Sequence, residues 1–139
     1  VMSREIKPIE TTDELKESVS RFLPKGSENK VLAQIFQALR IEVNEEMKVL
    51  EIFLSQCADV LNPGGRLVVL SYHSLEDRLV KNFMKTGNAD GNLEKDFFGN
   101  QLTPYKLISS KPIIPSDEEI QNNNRARSAK LRVAERRTK

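Results

Sequence analysis

One stretch constrains this chain more than any other: Asn62 to Lys85, NPGGRLVVLSYHSLEDRLVKNFMK. Leu67-Val68-Val69-Leu70 is an unbroken apolar run, the pattern of a strand covered on both faces. Asn62-Pro63-Gly64-Gly65 stops whatever helix precedes it. Ser71-Tyr72-His73-Ser74 is a short polar loop after the strand, and Ser74 with Asp77 three residues on reads as a capping box that opens a helix to about Lys85. A strand over 66–72 that is apolar on both sides does not suit a sheet edge, because an open flat edge invites association. A neighbouring strand from elsewhere is therefore expected. In open α/β sheets ligands bind beyond the carboxyl ends of strands, and the single histidine of the chain, His73, stands at such an end.

The rest of the chain supplies helices before this unit and short strands after it. Residues 1–12 are polar and irregular. Thr11 and Glu14 form a capping box for a helix over 12–22, with Leu15, Val19 and Phe22 on one face. Leu32, Ile35, Phe36, Leu39 and Val43 make the stripe of a second helix over 27–43. Asn44 reads as the N-cap of a third helix over 44–61, with Glu45 and Glu46 where the helix dipole favours acids. Leu75, Leu79, Val80, Phe83 and Met84 form the buried face of the helix after the strand. Residues 87–100 read as a surface loop in which Phe97-Phe98 either pins the loop or marks a lost neighbour. Residues 105–114 look like an edge strand interrupted by Lys111-Pro112. Ser116 caps a short helix, residues 122–124 turn, and 128–135 alternate as a strand with Lys130 and Arg132 on one face. Helices and at most three strands in this order are a piece of an α/β architecture.

Composition excludes several classes. The chain is 38% hydrophobic and 30% charged. One cysteine, Cys57, rules out an internal disulfide, and its place on an apolar helix stripe suits core packing. One histidine and one cysteine cannot build the usual zinc site, so no metal is expected. No apolar run approaches the ~20 residues of a membrane span, and no leader pattern is seen, so a cytoplasmic location is expected. Val1 opens on what reads as the middle of a longer sequence, a fragment. Net charge is only +2, but seven Lys or Arg face one acid from Arg125 to Lys139.

The residues that could carry chemistry each have a plainer alternative. His73 and Ser74 either touch a ligand at the sheet rim or only cap and brace a helix. Glu76, Asp77, Arg78 and Lys81 are either a solvated helix face, with Asp77 and Lys81 paired at i, i+4, or part of a site. Arg125, Arg127, Lys130 and Arg132 suit phosphate contacts, which give affinity without sequence choice, or form a solvated tail. Arg40 and Asn44 flank the joint of two helices, as caps or as the wall of a groove.

Three runs, QIFQALRIEVNEEM (34–47), LNPGGRLVVLSYHSLEDRLVKNFM (61–84) and NNRARSAKLRVAERRT (123–138), resemble the carboxyl-terminal part of the RsmH (MraW) family. These are S-adenosylmethionine-dependent methyltransferases that modify the exocyclic N4 of one cytidine in 16S ribosomal RNA. The resemblance implies an incomplete class I, Rossmann-like methyltransferase sheet, its last three strands, plus helices from an inserted helical domain. Residues 1–43 would be the end of the insert and 44–139 the end of the methyltransferase domain. It also implies that the last strand runs antiparallel between its two predecessors. The motif-bearing residues Arg40, Asn44, His73, Ser74, Asp77, Arg78, Arg125 and Arg127, with Lys130 beside them, are the implied cytidine-pocket or RNA-backbone contacts; no catalytic residue is assigned. The Gly-rich turn and ribose-binding acid of the family have no counterpart here, so no cofactor site is carried over. The implied partner is 16S rRNA in the small subunit, and the chain alone is expected to be inactive. Two other readings stand beside this one: an RNA-binding module, and a self-associating remnant that dimerises through the unpaired strand or by swapping its helices. Residues 87–100 also lack the cysteines of some relatives.

Overall fold

The computed structural model describes residues 8–138. The irregular stretch expected at residues 1–12 lies outside the described residues as far as residue 7, as does Lys139 at the basic end. The chain divides into two compact units, residues 1–46 and 47–139.

The first unit contains α1 (Thr12–Ser20) and α2 (Glu28–Val43). The Thr11–Glu14 capping box forms as the sequence predicts, with the Glu14 amide donating to the Thr11 hydroxyl and the Thr11 amide to the Glu14 carboxylate. On α2, Leu32 is buried while Leu39 and Val43 stay exposed. Asn44 is not an N-cap. It is the C-cap of α2, its amide donating to the Arg40 and Glu42 carbonyls. Glu45 then takes a left-handed φ of 49°, which breaks the chain direction, and α3 (Glu46–Val60) starts one residue later. The acids at 45 and 46 suggest a first turn there. The helix begins only where φ returns to the right-handed region.

The second unit is a three-stranded sheet with its helical cover on one face. Its elements are α3 from Met47 on, β1 (Arg66–Ser71), α4 (Ser74–Thr86), β2 (Tyr105–Leu107), α5 (Asp117–Asn122), a 3-10 turn (Asn124–Ser128) and β3 (Lys130–Arg136). The sheet order is β1-β3-β2, with β3 antiparallel to both neighbours. The last strand thus lies between its two predecessors, as the resemblance implies. β2 is shorter than the strand expected over 105–114. The named strand ends at Leu107, although the Ile108 amide still donates to the Val133 carbonyl at 3.1 Å. Beyond it the chain leaves the ladder over 109–112, where Pro112 has no donor and the Ser109 hydroxyl turns to the Lys111 carbonyl. Pairing returns at Ile113, bridged to Leu131. Ser116 caps α5 as predicted, accepting from the Glu119 amide.

Register decides which face is covered. Leu67 opposes Ala134, and Ser71 opposes Lys130. Leu67 and Ala134 join Leu54 and Cys57 of α3, Val80, Phe83 and Met84 of α4, and Tyr105 of β2 in one core. Each fully buried aliphatic side chain there contributes about 1.5–3 kcal/mol. The Phe83 and Tyr105 rings meet at 6.3 Å in a tilted pair. The opposite face, Val68 (55% exposed), Leu70 (50%) and Tyr72 (55%), is bare. The expectation of a strand covered on both faces is corrected: among the described residues the cover lies on one side only, and β1 has a strand neighbour on one edge only.

Two glycines are needed where they stand. Gly87 ends α4 at φ 85°, its amide returning to the Phe83 carbonyl, and a Cβ there would meet Pro104 Cδ at 2.8 Å. A Cβ at Gly65 would lie 2.8 Å from the Asn62 carbonyl oxygen.

Candidate functional site

The carboxyl end of β1 feeds directly into α4, and the cap between them is built by His73. Ser74, expected to be the cap, is the first residue inside the helix and is exposed. The His73 Nδ1 accepts from the Glu76 amide at 3.4 Å. The Glu76 carboxylate accepts in return from the Tyr72 amide at 3.0 Å and the His73 amide at 3.4 Å. An imidazole nitrogen thus replaces the usual hydroxyl of a capping box, with Glu76 in the third helical position. With Nδ1 as acceptor, the proton of a neutral His73 resides on Nε2. That Nε2 lies 3.2 Å from Glu76 Oε1. Although buried, it makes no hydrogen bond among the described residues.

Asp77 does not sit on a solvated face, and its partner is not Lys81. Its side chain is 11% exposed and takes Arg132 Nε at 2.7 Å on one oxygen. The other oxygen takes Arg132 Nη2 and Lys130 Nζ, both at 3.2 Å. Burial alone would raise the Asp77 carboxyl. The hydrogen bonds and charges of Arg132 and Lys130 outweigh it and hold the group below the usual carboxylate range. Lys130 and Arg132 share a face, as predicted, but that face turns inward to Asp77. They are structural cations here, with Lys130 half-exposed at the rim.

Beyond β1, on the bare face of the sheet, lies a groove of about 300 Å³. Leu70, Tyr72, Ile113, Ile114 and Leu131 form its apolar wall, and Glu119 and Asn123 also line it. The 3-10 turn that supplies Ala126 to the wall carries Arg125 and Arg127 on either side, both exposed. Asn123 braces the turn, its Oδ1 accepting from the Arg125 amide at 3.2 Å. Strand alternation puts Tyr72, and not His73, on the groove side. Tyr72, Glu119 and Asn123 are residues the sequence reading passes over. Nothing local in the sequence marks Glu119 or Asn123; Tyr72 alone follows from alternation, two residues beyond Leu70 on the same face.

The remaining candidates divide. Arg78 is exposed on α4 and borders a small depression with Leu75, Leu79 and Asn82. In the first unit, Arg40 and Asn44 both reach Glu46: Arg40 Nε lies 2.8 Å from Oε1, and the Asn44 side-chain amide donates to Oε1 at 3.2 Å. Both side chains bind one carboxylate. Cys57 is buried and free, and burial pushes its thiol up. No helix among the described residues is long and apolar enough to cross a membrane.

Comparison with known proteins bears on this geometry. The model of the MraW methylase family matches residues 1–137. A ribosomal RNA small subunit methyltransferase H from Parabacteroides distasonis is 57% identical over 136 residues, covering 98% of this chain and 45% of that protein. The protein of the same name from Flavobacterium johnsoniae is 59% identical with the same coverage. The one from Bacteroides thetaiotaomicron is 52% identical, again over 98% of this chain and 45% of its own length. The chain therefore spans about half the length of the curated relatives it matches.

Proposed function

The chain belongs to the MraW methylase family, and on that premise we propose that it is the carboxyl-terminal part of a cytoplasmic ribosomal RNA methyltransferase acting on N4 of a cytidine in 16S rRNA. S-adenosylmethionine would supply an electrophilic methyl group. A glycine-rich turn beyond the carboxyl end of a strand would hold that cofactor. Gly64-Gly65 is a turn at the amino end of β1, the end away from ligands in α/β sheets, and among the described residues no glycine-rich cradle faces the carboxyl end. We take the cofactor's main contacts to lie in the other half of the whole protein. The three strands would complete a class I sheet, with residues 1–43 belonging to an inserted helical domain.

This chain's own contribution is to hold RNA. The observation that carries the reading is the groove beyond β1, lined by Tyr72, Glu119 and Asn123, with Arg125 and Arg127 on the turn that closes it. A carboxylate accepts from the exocyclic amine of cytosine, an aromatic ring stacks on a base, and paired arginines take backbone phosphates. Methyl transfer to an amine needs alignment more than acid–base power, and alignment is what a stacking ring, a hydrogen-bond acceptor and two phosphate anchors supply. In the whole protein, Tyr72→Ala with Glu119→Gln should lower methyl transfer to isolated small ribosomal subunits by about 10- to 100-fold, since a lost base contact costs about 1–3 kcal/mol. Undiminished transfer in that variant would remove the groove from the account.

A second reading, self-association of the chain by itself, is favoured by the open edge of β1 and its bare apolar face. Sedimentation of residues 1–139 at high concentration tests it, and a monomer there would dismiss it.

A further inference from the structure

The groove beyond β1 leaves one exposed feature without a use. Phe97 is 97% exposed and Phe98 85% exposed, the two most exposed aromatic rings among the described residues. They contribute nothing to the core. Their rings meet edge to face at 5.7 Å and 88°, so they present two faces at right angles to the solvent.

The segment that carries them is held without them. Lys95 and Gln101 bridge at its base. The Asp96 carboxylate accepts from the Phe98 amide at 2.9 Å, the Asn100 amide at 2.8 Å and the Asn100 side chain at 2.8 Å. Gly99 closes the turn at φ 85°, its amide donating to the Asp96 carbonyl. Polar contacts therefore fix the tip, and the rings are free to bind.

At the base of the same hairpin, Gln101 lines a shallow groove with Thr103, Pro104, Arg136 and Arg137. No acid stands among its described lining residues. The two guanidinium groups are anchored rather than neutralised: Arg136 donates to the Pro104 carbonyl at 3.2 Å and Arg137 to the Tyr105 carbonyl at 2.9 Å. Each keeps further donors. Register puts this groove at the amino end of β1, since the Arg136 amide donates to the Gly65 carbonyl. It is the opposite end of the sheet from Tyr72.

We propose that the Phe97–Phe98 hairpin and the Arg136–Arg137 groove form a second binding site, for single-stranded RNA, distinct from the groove beyond β1. Aromatic faces that accept any base beside a positively charged track are the two parts from which sequence-tolerant single-strand sites are made. Two rings at right angles suit bases splayed apart from one another, as in loops and bulges. The site rests on the proposed function in one respect, that RNA is what the protein meets. It would hold the substrate RNA at a point away from the modified base, and so act on affinity rather than on the chemical step.

The test uses the whole protein, an end-labelled unstructured ten-nucleotide RNA, and the variant Phe97→Ala/Phe98→Ala. Because both rings are solvent-exposed, the variant should fold and melt as the wild type does. RNA affinity by fluorescence anisotropy should fall at least about tenfold, and Phe97→Tyr/Phe98→Tyr should restore it to within about threefold. Arg137→Gln should reduce the slope of log affinity against log salt by about 0.7. Affinity for the RNA unchanged within about twofold in the alanine variant overturns the site. So does loss of binding to vesicles containing phosphatidylserine with RNA binding intact, which would make the hairpin a lipid contact. Methyl transfer by the wild-type protein, measured in parallel, reports on the proposed function by itself. Its absence would count against that reading, while the RNA titration alone decides for or against the hairpin.

Discussion

Replacing Asp77 by Asn should cost about 3 kcal/mol of folding stability. The carboxylate is 11% exposed and its main partner, Arg132, 8% exposed, with one contact at 2.7 Å. Breaking a buried pair from one side costs about 3–5 kcal/mol, because the surviving charge stays buried and unpaired. Two features place the loss at the lower end: the Asn oxygen still accepts one hydrogen bond, and Lys130, 39% exposed, can turn to water. In urea, with a slope of ~1–3 kcal/mol per molar, the midpoint should drop by about 2 M, followed by far-ultraviolet circular dichroism. A cycle with Arg132→Met should return a coupling of about 2 kcal/mol, and Asp77→Leu with Arg132→Met should recover most of the loss. The pH dependence has a definite sign. The folded carboxyl is held below its ordinary value, so its contribution is complete above the unfolded pKa, about 3.9. It disappears as pH falls through the lower folded value. The gap between wild type and the neutral Asn variant should close in that acidic window. A coupling under about 0.5 kcal/mol, or a gap that persists into strong acid, would refute the reasoning.

Three further outcomes follow from the second unit. Glu76→Ala removes the acceptor of the Tyr72 and His73 amides and should lower stability by about 1 kcal/mol, while His73→Asn, which keeps a capping acceptor, should cost less; thermal melts compare them. Gly87→Ala forces a side chain into a left-handed position against Pro104 and should destabilise by more than about 1 kcal/mol, seen as a Tm lowered by several degrees. Tyr105→Phe removes a buried hydroxyl that has no partner among the described residues and should be neutral or stabilising by up to about 1 kcal/mol. Burial pushes that phenol up to about 12, so of the two tyrosines one should ionise late in an ultraviolet titration.

What the sequence made legible was the local grammar around β1. An apolar run between Pro-Gly-Gly and a capped helix can hardly be other than strand and helix, and α4 ends where Gly87 takes a left-handed φ of 85°. Position by position, the reading slips where two local solutions compete. Ser74 with Asp77 and His73 with Glu76 are capping boxes one residue apart, and the imidazole acceptor with the longer acid takes the role. Asn44 could start a helix or finish one, and the turn at Glu45 decided for the finish. The partner of Asp77 was out of reach of any local pattern, because Arg132 is 55 residues away and a lysine at i+4 offers a nearer substitute. The binding groove was missed for a related cause. An apolar run says that a strand avoids water, not which face is covered, and Tyr72, Glu119 and Asn123 converge only once β3 has set the register. Family membership was legible because HSLEDR after GGRL and the basic NNRARSAKLRV run come in a fixed order, which is information about descent and not about contacts.

The most direct test of the account is methyl transfer from labelled S-adenosylmethionine to isolated small ribosomal subunits, with the modified nucleotide identified by nuclease digestion and mass spectrometry. The whole protein should place the label on N4 of a cytidine in 16S rRNA, and residues 1–139 alone should transfer none. Label on another atom or base, no label with the whole protein, or turnover by the 139-residue chain would contradict the account.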